Sequence, residues 1–360
     1  MKDIQIGSKI VGKNKPVYII AEVGSNFDGD LKRAKYLAKL SKELGADAFK
    51  IQNFKAPKIV SDVGFKDLKI AFQSKWKKPV TEVYKDAEFP REWIKELSDY
   101  CKEIEIDFFS SPYDIEAVDL LEEIGMPVYK LGSGEIDNIE FIEYVAKLGK
   151  PMIIGCGAST MEEIDAAVKT IRATGNEQII LLQCVTNYPS PIVDSQIKAM
   201  CTIGETFDVL VGYSDHTIGV AGNGDDPLDG ITVPLGAVAL GGLVIEKHFT
   251  DDRTRTGPDH PFAMDPVGFK SMVQGIRAME KALGNGEKKL APSEKDTVVI
   301  QRRGMYATVD INIGDVIERN KIEYLRPSVG VRPLDAKKVF GKKAVHDIPK
   351  GSPIKFEDVE

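Results

Sequence analysis

A (β/α)8 barrel followed by a small β-rich domain is the fold this sequence predicts, and three observations predict it. Eight short apolar or β-branched runs recur between Val17 and Phe249, most of them separated by amphipathic segments with helical spacing, and beyond Gly284 the pattern changes to short strands and turns. Strands alternating with helices require a parallel sheet, because each parallel return needs a crossover. Eight such strands close a barrel.

In chain order the runs are "VYIIAEVG" from Val17, "AFKIQNF" from Ala48, "DFFSSPY" from Asp107, "VYKLGSGE" from Val128, "MIIGCGA" from Met152, "IILLQCV" from Ile179, "VLVGYSDH" from Val209 and "GLVIEKHF" from Gly242. Between them, Asp30 to Leu44 repeats apolar residues at helical spacing. Pro90 stands at a favoured early helix position, and Thr160 with Glu163 forms a capping-box pattern. Two segments depart from the rhythm. Lys55 to Glu88, with "FQSKWKKPVTEVYK", is a Lys-rich excursion of a length that marks a functional loop or active-site cover. Val220 to Pro234, "VAGNGDDPLDGITVP", reads as a surface turn before a short small-residue helix. The expected boundaries are a barrel over 1–285, a polar connector over 286–296 and the β-rich domain over 297–360.

With 360 residues, 42 % hydrophobic and 29 % charged, the chain has the composition of a soluble globular protein. Its 48 basic and 55 acidic side chains give a net charge of -7, which argues against a nucleic-acid or anionic-membrane partner, since both need a positive field. A small anion can still bind where lysines gather. The four cysteines are scattered without a CxxC pair, and the first residues lack an apolar signal core, so the expectation is a reduced, cytoplasmic protein without disulfides. No apolar run approaches the roughly 20 residues of a membrane helix.

In a (β/α)8 barrel the active site lies at the C-terminal ends of the strands. Those ends here carry Glu22; Lys50 and Gln52; Ser110 and Ser111; Lys130, Ser133 and Glu135; Gln183 and Thr186; Ser214, Asp215 and His216; and Glu246, Lys247 and His248. Side chains alternate along a strand, so Lys50 with Gln52, Ser214 with His216, and Glu246 with His248 each share a face. His216 and His248, two of only four histidines, fall at equivalent places on neighbouring strands. Two neutral imidazoles form part of a coordination sphere for a divalent transition metal; the alternative is that each is a satisfied polar residue at a strand end. His260 and His346 lack such company and read as structural. Lys50 and Lys130 with Ser111, Ser133 and Ser214 suggest an anion site, against the alternative of salt bridges to Glu22 or Glu135. Either carboxylate could instead handle protons. Lys247, on the other face from Glu246 and His248, reads as structural.

The blocks "IIAEVGSNFDGDL", "FKIQNF", "FFSSPYD", "YKLGSGE", "NYPSP", "YSDHT", "ALGGLVIEKHFT" and "GPDHPFAMDP" resemble, in order, those of the sialic acid synthase family. The tail "IEYLRP...VFGKKAVHDIPKGSPI" is similar to that family's antifreeze-like (SAF) domain. The resemblance spans nearly the whole chain. It implies condensation of phosphoenolpyruvate (PEP) with the open-chain aldehyde of a 2-acetamido sugar, releasing phosphate by C–O cleavage. It assigns His216 and His248 as ligands of a divalent metal, Mn2+ first and Mg2+ or Co2+ as alternatives. It assigns Lys50, Ser111, Lys130, Ser133 and Ser214 to PEP, and Gln52, Tyr188, Asp251 and Arg326 to the sugar. Glu135, which also matches a sugar position, becomes the leading proton-handling residue, and Glu22 a second carboxylate at the metal centre. It also implies a domain-swapped homodimer in which Arg326 of one subunit enters the barrel of the other. N-acetylmannosamine, giving N-acetylneuraminate, is the first acceptor expected; a 2,4-diacetamido-6-deoxy hexose, giving legionaminate or pseudaminate, is the second. A non-catalytic carbohydrate-binding protein and a PEP aldol synthase acting on a sugar phosphate are the other readings weighed. The chain departs from the family pattern at Gly155–Cys156, where a PEP-binding serine is expected, at Thr186, where an asparagine is expected, and in a longer insertion around Asp225 to Asp229.

Overall fold

Each of the eight runs forms a strand, and their side chains explain why: residues buried on both faces leave no solvent side, as a parallel sheet covered by helices requires. The computed structural model describes residues 2–66, 68, 78–218 and 230–360. The strands are β1 (Tyr18–Glu22), β2 (Ala48–Asn53), β3 (Asp107–Pro112), β4 (Tyr129–Leu131), β5 (Met152–Gly155), β6 (Ile179–Cys184), β7 (Leu210–Asp215) and β8 (Val244–His248). They form one eight-stranded sheet whose ladder runs β3-β2-β1-β8-β7-β6-β5-β4. All registered pairs are parallel, and β3 packs beside β4 to bring the ring nearly closed. The register places Glu22 against both His248 and Lys50, and Glu246 against Ser214, so the chemistry-bearing residues share one end of the barrel.

The helices between the strands begin where the local chemistry allows. Asp30 caps Leu31–Glu43 by accepting from the Lys32 amide at 2.8 Å. Thr160 and Glu163 form the expected capping box at Met161–Ala173. Pro90 lies just ahead of a 3-10 turn, Arg91–Trp93, that leads into the helix Ile94–Glu103. The other end of the barrel is covered by a hairpin that no sequence pattern announced, Ile4–Ile6 with Lys9–Val11. Asp107, at the start of β3, anchors it by accepting from the Ser8 amide and the Tyr18 hydroxyl, each at 2.9 Å.

The Lys-rich excursion contains three short helices among its described residues, Ala56–Ile59, Asp62–Phe65 and Val80–Asp86. Glu88 ties its two ends together, accepting from Lys55 Nζ at 2.8 Å and the Ala56 amide at 2.7 Å. The insertion around Asp225 to Asp229 lies outside the described residues. Among those residues, no helix is long and apolar enough to cross a membrane.

The chain divides into two compact units, Met1–Gly284 and Asn285–Glu360. The second unit has its own core, with Met305, Ile311, Ile317, Val331, Val339 and Ile354 at its centre. Its sheet pairs Gly304–Ala307 with Ile322–Leu325, and isolated bridges supply the remaining β-contacts. It also contains the segment 286–296 expected as a connector, where Pro292–Glu294 forms a 3-10 turn and Lys295 begins a helix.

Candidate active site

The C-terminal ends of the strands surround a cavity of about 430 Å3. Its floor is charged. Lys50 on β2 and Lys130 on β4 enter from one side, Glu22 on β1 and Glu246 on β8 from the other, and all four are buried. Lys50 is ion-paired with Glu22, lies 3.7 Å from Glu246 and donates to Ser111 Oγ at 3.1 Å. Lys130 lies 3.3 Å from Glu246, so its salt bridge runs to Glu246 and not to Glu135. Ser214 Oγ donates to Glu246 at 2.9 Å.

These contacts set the charge states. Burial pushes the Glu246 carboxyl up, but Lys130 and Lys50 outweigh it and hold the group at about 2, so it is ionised. Burial pushes Glu22 above the ordinary carboxylate range, and Lys50 only partly offsets this. Burial works against the Lys130 ammonium, yet the Glu246 charge holds it above its usual value. The floor therefore carries two buried lysines matched by two buried acids.

His216 and His248 stand at the cavity edge with ring centroids 5.6 Å apart. His216 Nδ1 is 2.6 Å from the Val185 carbonyl oxygen. A carbonyl only accepts, so Nδ1 carries the hydrogen and Nε2 keeps its lone pair. His248 Nδ1 is buried without a hydrogen-bond partner among the described residues. Burial lowers His216 to about 4 and His248 well below its usual value, so both rings are neutral near pH 7, the form that binds metals. This donor chemistry fits a divalent transition metal. Among the described residues no group of three or more His, Cys, Asp or Glu side chains could hold such an ion, so the remaining ligands would come from water or substrate.

Tyr188 packs on His216 with ring centroids 4.3 Å apart and the planes tilted by 36°. Its loop turns through a cis Tyr188–Pro189 bond and is fastened by the Ser190 amide, which donates to the His216 carbonyl at 2.8 Å. Behind His216, on the face away from the cavity lining, Lys247 is buried and donates to Asp215 at 2.5 Å and to the Thr217 carbonyl at 2.7 Å. His260 is enclosed between Thr250 and Asp28, and His346 pairs with Asp358 in the second unit. Both have structural partners.

Gln52, Ser111, Ser133, Glu135, Tyr188 and Ser214 all line the cavity. Glu135 is half-buried, and burial raises its carboxyl above the usual range. Two expected residues lie elsewhere. Asp251 is absent from the lining because its carboxylate is clamped by Arg33, with Nη1 at 2.8 Å, and flanked by Arg255 at 3.3 Å. Asp259 does line the cavity; it is half-buried and accepts from the Ser25 amide at 2.9 Å and hydroxyl at 3.0 Å. The signal for Asp259 was present in "GPDHPF", but as a loop residue it followed no strand alternation. Arg326 is exposed in the second unit, preceding a cis proline.

The departures have a physical account. A Cβ at Gly155 would lie 2.6 Å from Ser133 Oγ, so the Ser133 hydroxyl occupies the room a serine there would need. The Gly157 amide donates to that hydroxyl at 3.1 Å, and Cys184 Sγ lies 3.1 Å from it. Cys156 is buried and does not line the cavity. Thr186 lines it, whereas Asn187 turns away to the Pro189 carbonyl. The mouth is walled by Phe54, Ile59, Val83, Tyr84, Ala87 and Phe262. Within it, Phe54 meets Tyr84 and Tyr113 edge-on at 5.7 and 5.9 Å.

A barrel whose mouth joins a buried lysine–serine floor to a pair of neutral imidazoles defines a class of enzyme equipped to hold a small anion beside a metal-binding position. The sequence profile of the NeuB family matches residues 37–288 and that of the SAF domain matches residues 302–360. The chain belongs to the NeuB family, the nonulosonic acid synthases, and carries a C-terminal SAF domain. It is 36% identical to the N,N'-diacetyllegionaminic acid synthase of Campylobacter jejuni, over 92% of this chain and 96% of that protein. It is 35% identical to the pseudaminic acid synthase of Helicobacter pylori, over 96% and 98%. Among solved structures, the N-acetylneuraminic acid synthetase of Leptospira borgpetersenii in complex with citrate superposes with a TM-score of 0.70 at 30% identity, covering 82% of this chain and 95% of that one.

Proposed function

We propose that the protein condenses PEP with the open-chain aldehyde of an acetamido hexose and releases phosphate by C–O cleavage. The observation that carries this reading is the union, in one cavity, of buried Lys50 and Lys130 with two neutral imidazoles. Lysines and hydroxyls match the phosphate and carboxylate of PEP. A divalent ion held by His216 and His248, Mn2+ in first place, supplies Lewis acidity toward the aldehyde oxygen. The chain's own groups do the rest. Lys50, Lys130, Ser111, Ser133 and Ser214 hold PEP; Gln52, Tyr188 and Asp259 face the acceptor; Glu135, half-buried with a raised carboxyl, exchanges protons with the hydroxyl and water positions near it. The SAF unit's Arg326 reaching into the barrel of a second copy belongs to the same proposal, as does a cytoplasmic place of action.

N-acetylmannosamine, giving N-acetylneuraminate, is the simplest acceptor. One observation favours the second, a 2,4-diacetamido-6-deoxy hexose. The mouth wall formed by Ile59, Val83 and Ala87 offers aliphatic surface to the distal end of the sugar. Acetamido and deoxy methyl groups gain from contact with these three side chains, whereas the hydroxyls of N-acetylmannosamine find no partner in them. The relatives named for legionaminic and pseudaminic acids agree with this choice. The test is a panel of 2-acetamido and 2,4-diacetamido hexoses incubated with PEP and Mn2+, with products detected by mass. A diacetamido product formed with the higher kcat/KM supports the second reading; a higher value for N-acetylmannosamine restores the first. No condensation product from any member refutes the proposal.

A further inference from the structure

We propose that Glu246 is an internal counter-anion: in the resting site it occupies the lysines and the serine that PEP must engage, and so it sets how tightly PEP binds. This deepens the PEP reading above and rests on it. Glu246 touches three of the five side chains assigned to PEP. Its Oε1 lies 3.3 Å from Lys130 Nζ and accepts from Ser214 Oγ at 2.9 Å, while its Oε2 lies 3.7 Å from Lys50 Nζ. A fourth, Ser111, is one step away, accepting from Lys50 at 3.1 Å.

The arrangement has two consequences. First, it holds the two buried ammonium groups in position through contacts at 3.3 and 3.7 Å. Second, it leaves the floor without spare positive charge. Lys130 is satisfied by Glu246, and Lys50 is shared between Glu22 and Glu246. A multiply charged phosphate entering this floor meets a fixed carboxylate beside both lysines, and its binding is weakened by that repulsion. Among the described residues Glu246 Oε2 has no hydrogen-bond partner, so on that side the carboxylate is held mainly by the Lys50 charge 3.7 Å away. Glu246 is thus a positioning residue for both lysines.

Removing its charge while keeping its shape should tighten anion binding, a direction that a merely structural role would not produce. The experiment is calorimetric titration of PEP, and separately of inorganic phosphate, into wild type, Glu246→Gln and Glu246→Asp, all in chelator, with circular dichroism and thermal unfolding as the check on folding. At the effective dielectric constant of about 20 that suits such sites, the loss of one charge a few ångströms from the anion predicts tightening of about tenfold or more for Glu246→Gln. Glu246→Asp, which retains the charge, should stay within about threefold of wild type. Folded Glu246→Gln with unchanged or weaker binding overturns the inference while leaving the PEP reading intact. Wild type that binds no PEP with or without Mn2+ overturns the PEP reading, and the inference with it.

Discussion

Replacing Lys247 by Met removes the cation from a fully enclosed ion pair that lies behind the imidazole of His216. Lys247 and Asp215 are each 1 % exposed and 2.5 Å apart, and the same ammonium donates to the Thr217 carbonyl at 2.7 Å. The Met side chain fills most of the volume, so the loss is electrostatic: among the described residues, Asp215 keeps the Thr217 amide at 3.0 Å and hydroxyl at 2.9 Å. Breaking a buried pair from one side costs roughly 3–5 kcal/mol. For a domain of this size about 2–4 °C accompanies each kcal/mol, so the barrel transition should fall by about 6–20 °C in a thermal melt. The Lys247→Met, Asp215→Asn double variant, which buries no lone charge, should recover part of that fall. Because Asp215 and Thr217 flank His216, kcat should drop as well, with KM for PEP nearly unchanged. A fall of less than about 2 °C, with normal kcat, refutes the reasoning.

His216→Ala or His248→Ala should abolish metal-dependent turnover, a loss of about 100-fold or more, while leaving the circular dichroism spectrum unchanged; full activity in either would remove the metal-site argument. Asp259→Asn should raise KM for the acceptor by about tenfold with little change for PEP, whereas Asp251→Asn should lower the melting temperature and leave both KM values within about twofold. The opposite pattern would return Asp251 to the acceptor site. Arg326→Ala mixed with a Lys50→Met variant should recover activity in heterodimers if the second unit serves its neighbour's barrel. Heterodimers without recovery would exclude the exchange.

The barrel was legible because each strand repeats one rule: apolar residues buried on both faces, then polar groups where the strand emerges. The same alternation placed Lys50 with Gln52, Ser214 with His216, and Glu246 with His248 on the cavity side. It also set Lys247 on the opposite face, where the structure pairs it with Asp215. Pairing between strands was less legible, because alternation names a face but not a partner. The alternative to an anion site set salt bridges from Lys50 and Lys130 to Glu22 or Glu135; Lys50 does pair with Glu22, whereas Lys130 on β4 meets Glu246 on β8. Asp259 was hidden for another reason. The loop after β8 folds back beside its own strand, with the Met264 amide donating to the His248 carbonyl at 2.8 Å, and this return lays Asp259 and Phe262 over the mouth. No local period encodes such a return. The N-terminal hairpin escaped notice because its three-residue strands, Ile4–Ile6 and Lys9–Val11, are too short to show a period.

The central claim is that PEP loses its phosphate by C–O cleavage only when an acetamido sugar is there to receive its carbons. It is tested most directly with PEP carrying 18O in the bridging C–O–P position, incubated with Mn2+ and a 2,4-diacetamido-6-deoxy hexose or N-acetylmannosamine. The account predicts sugar-dependent phosphate release with the label in the phosphate and the extended sugar acid lacking it. Label retained in the organic product, or phosphate released at the same rate without sugar, would contradict it.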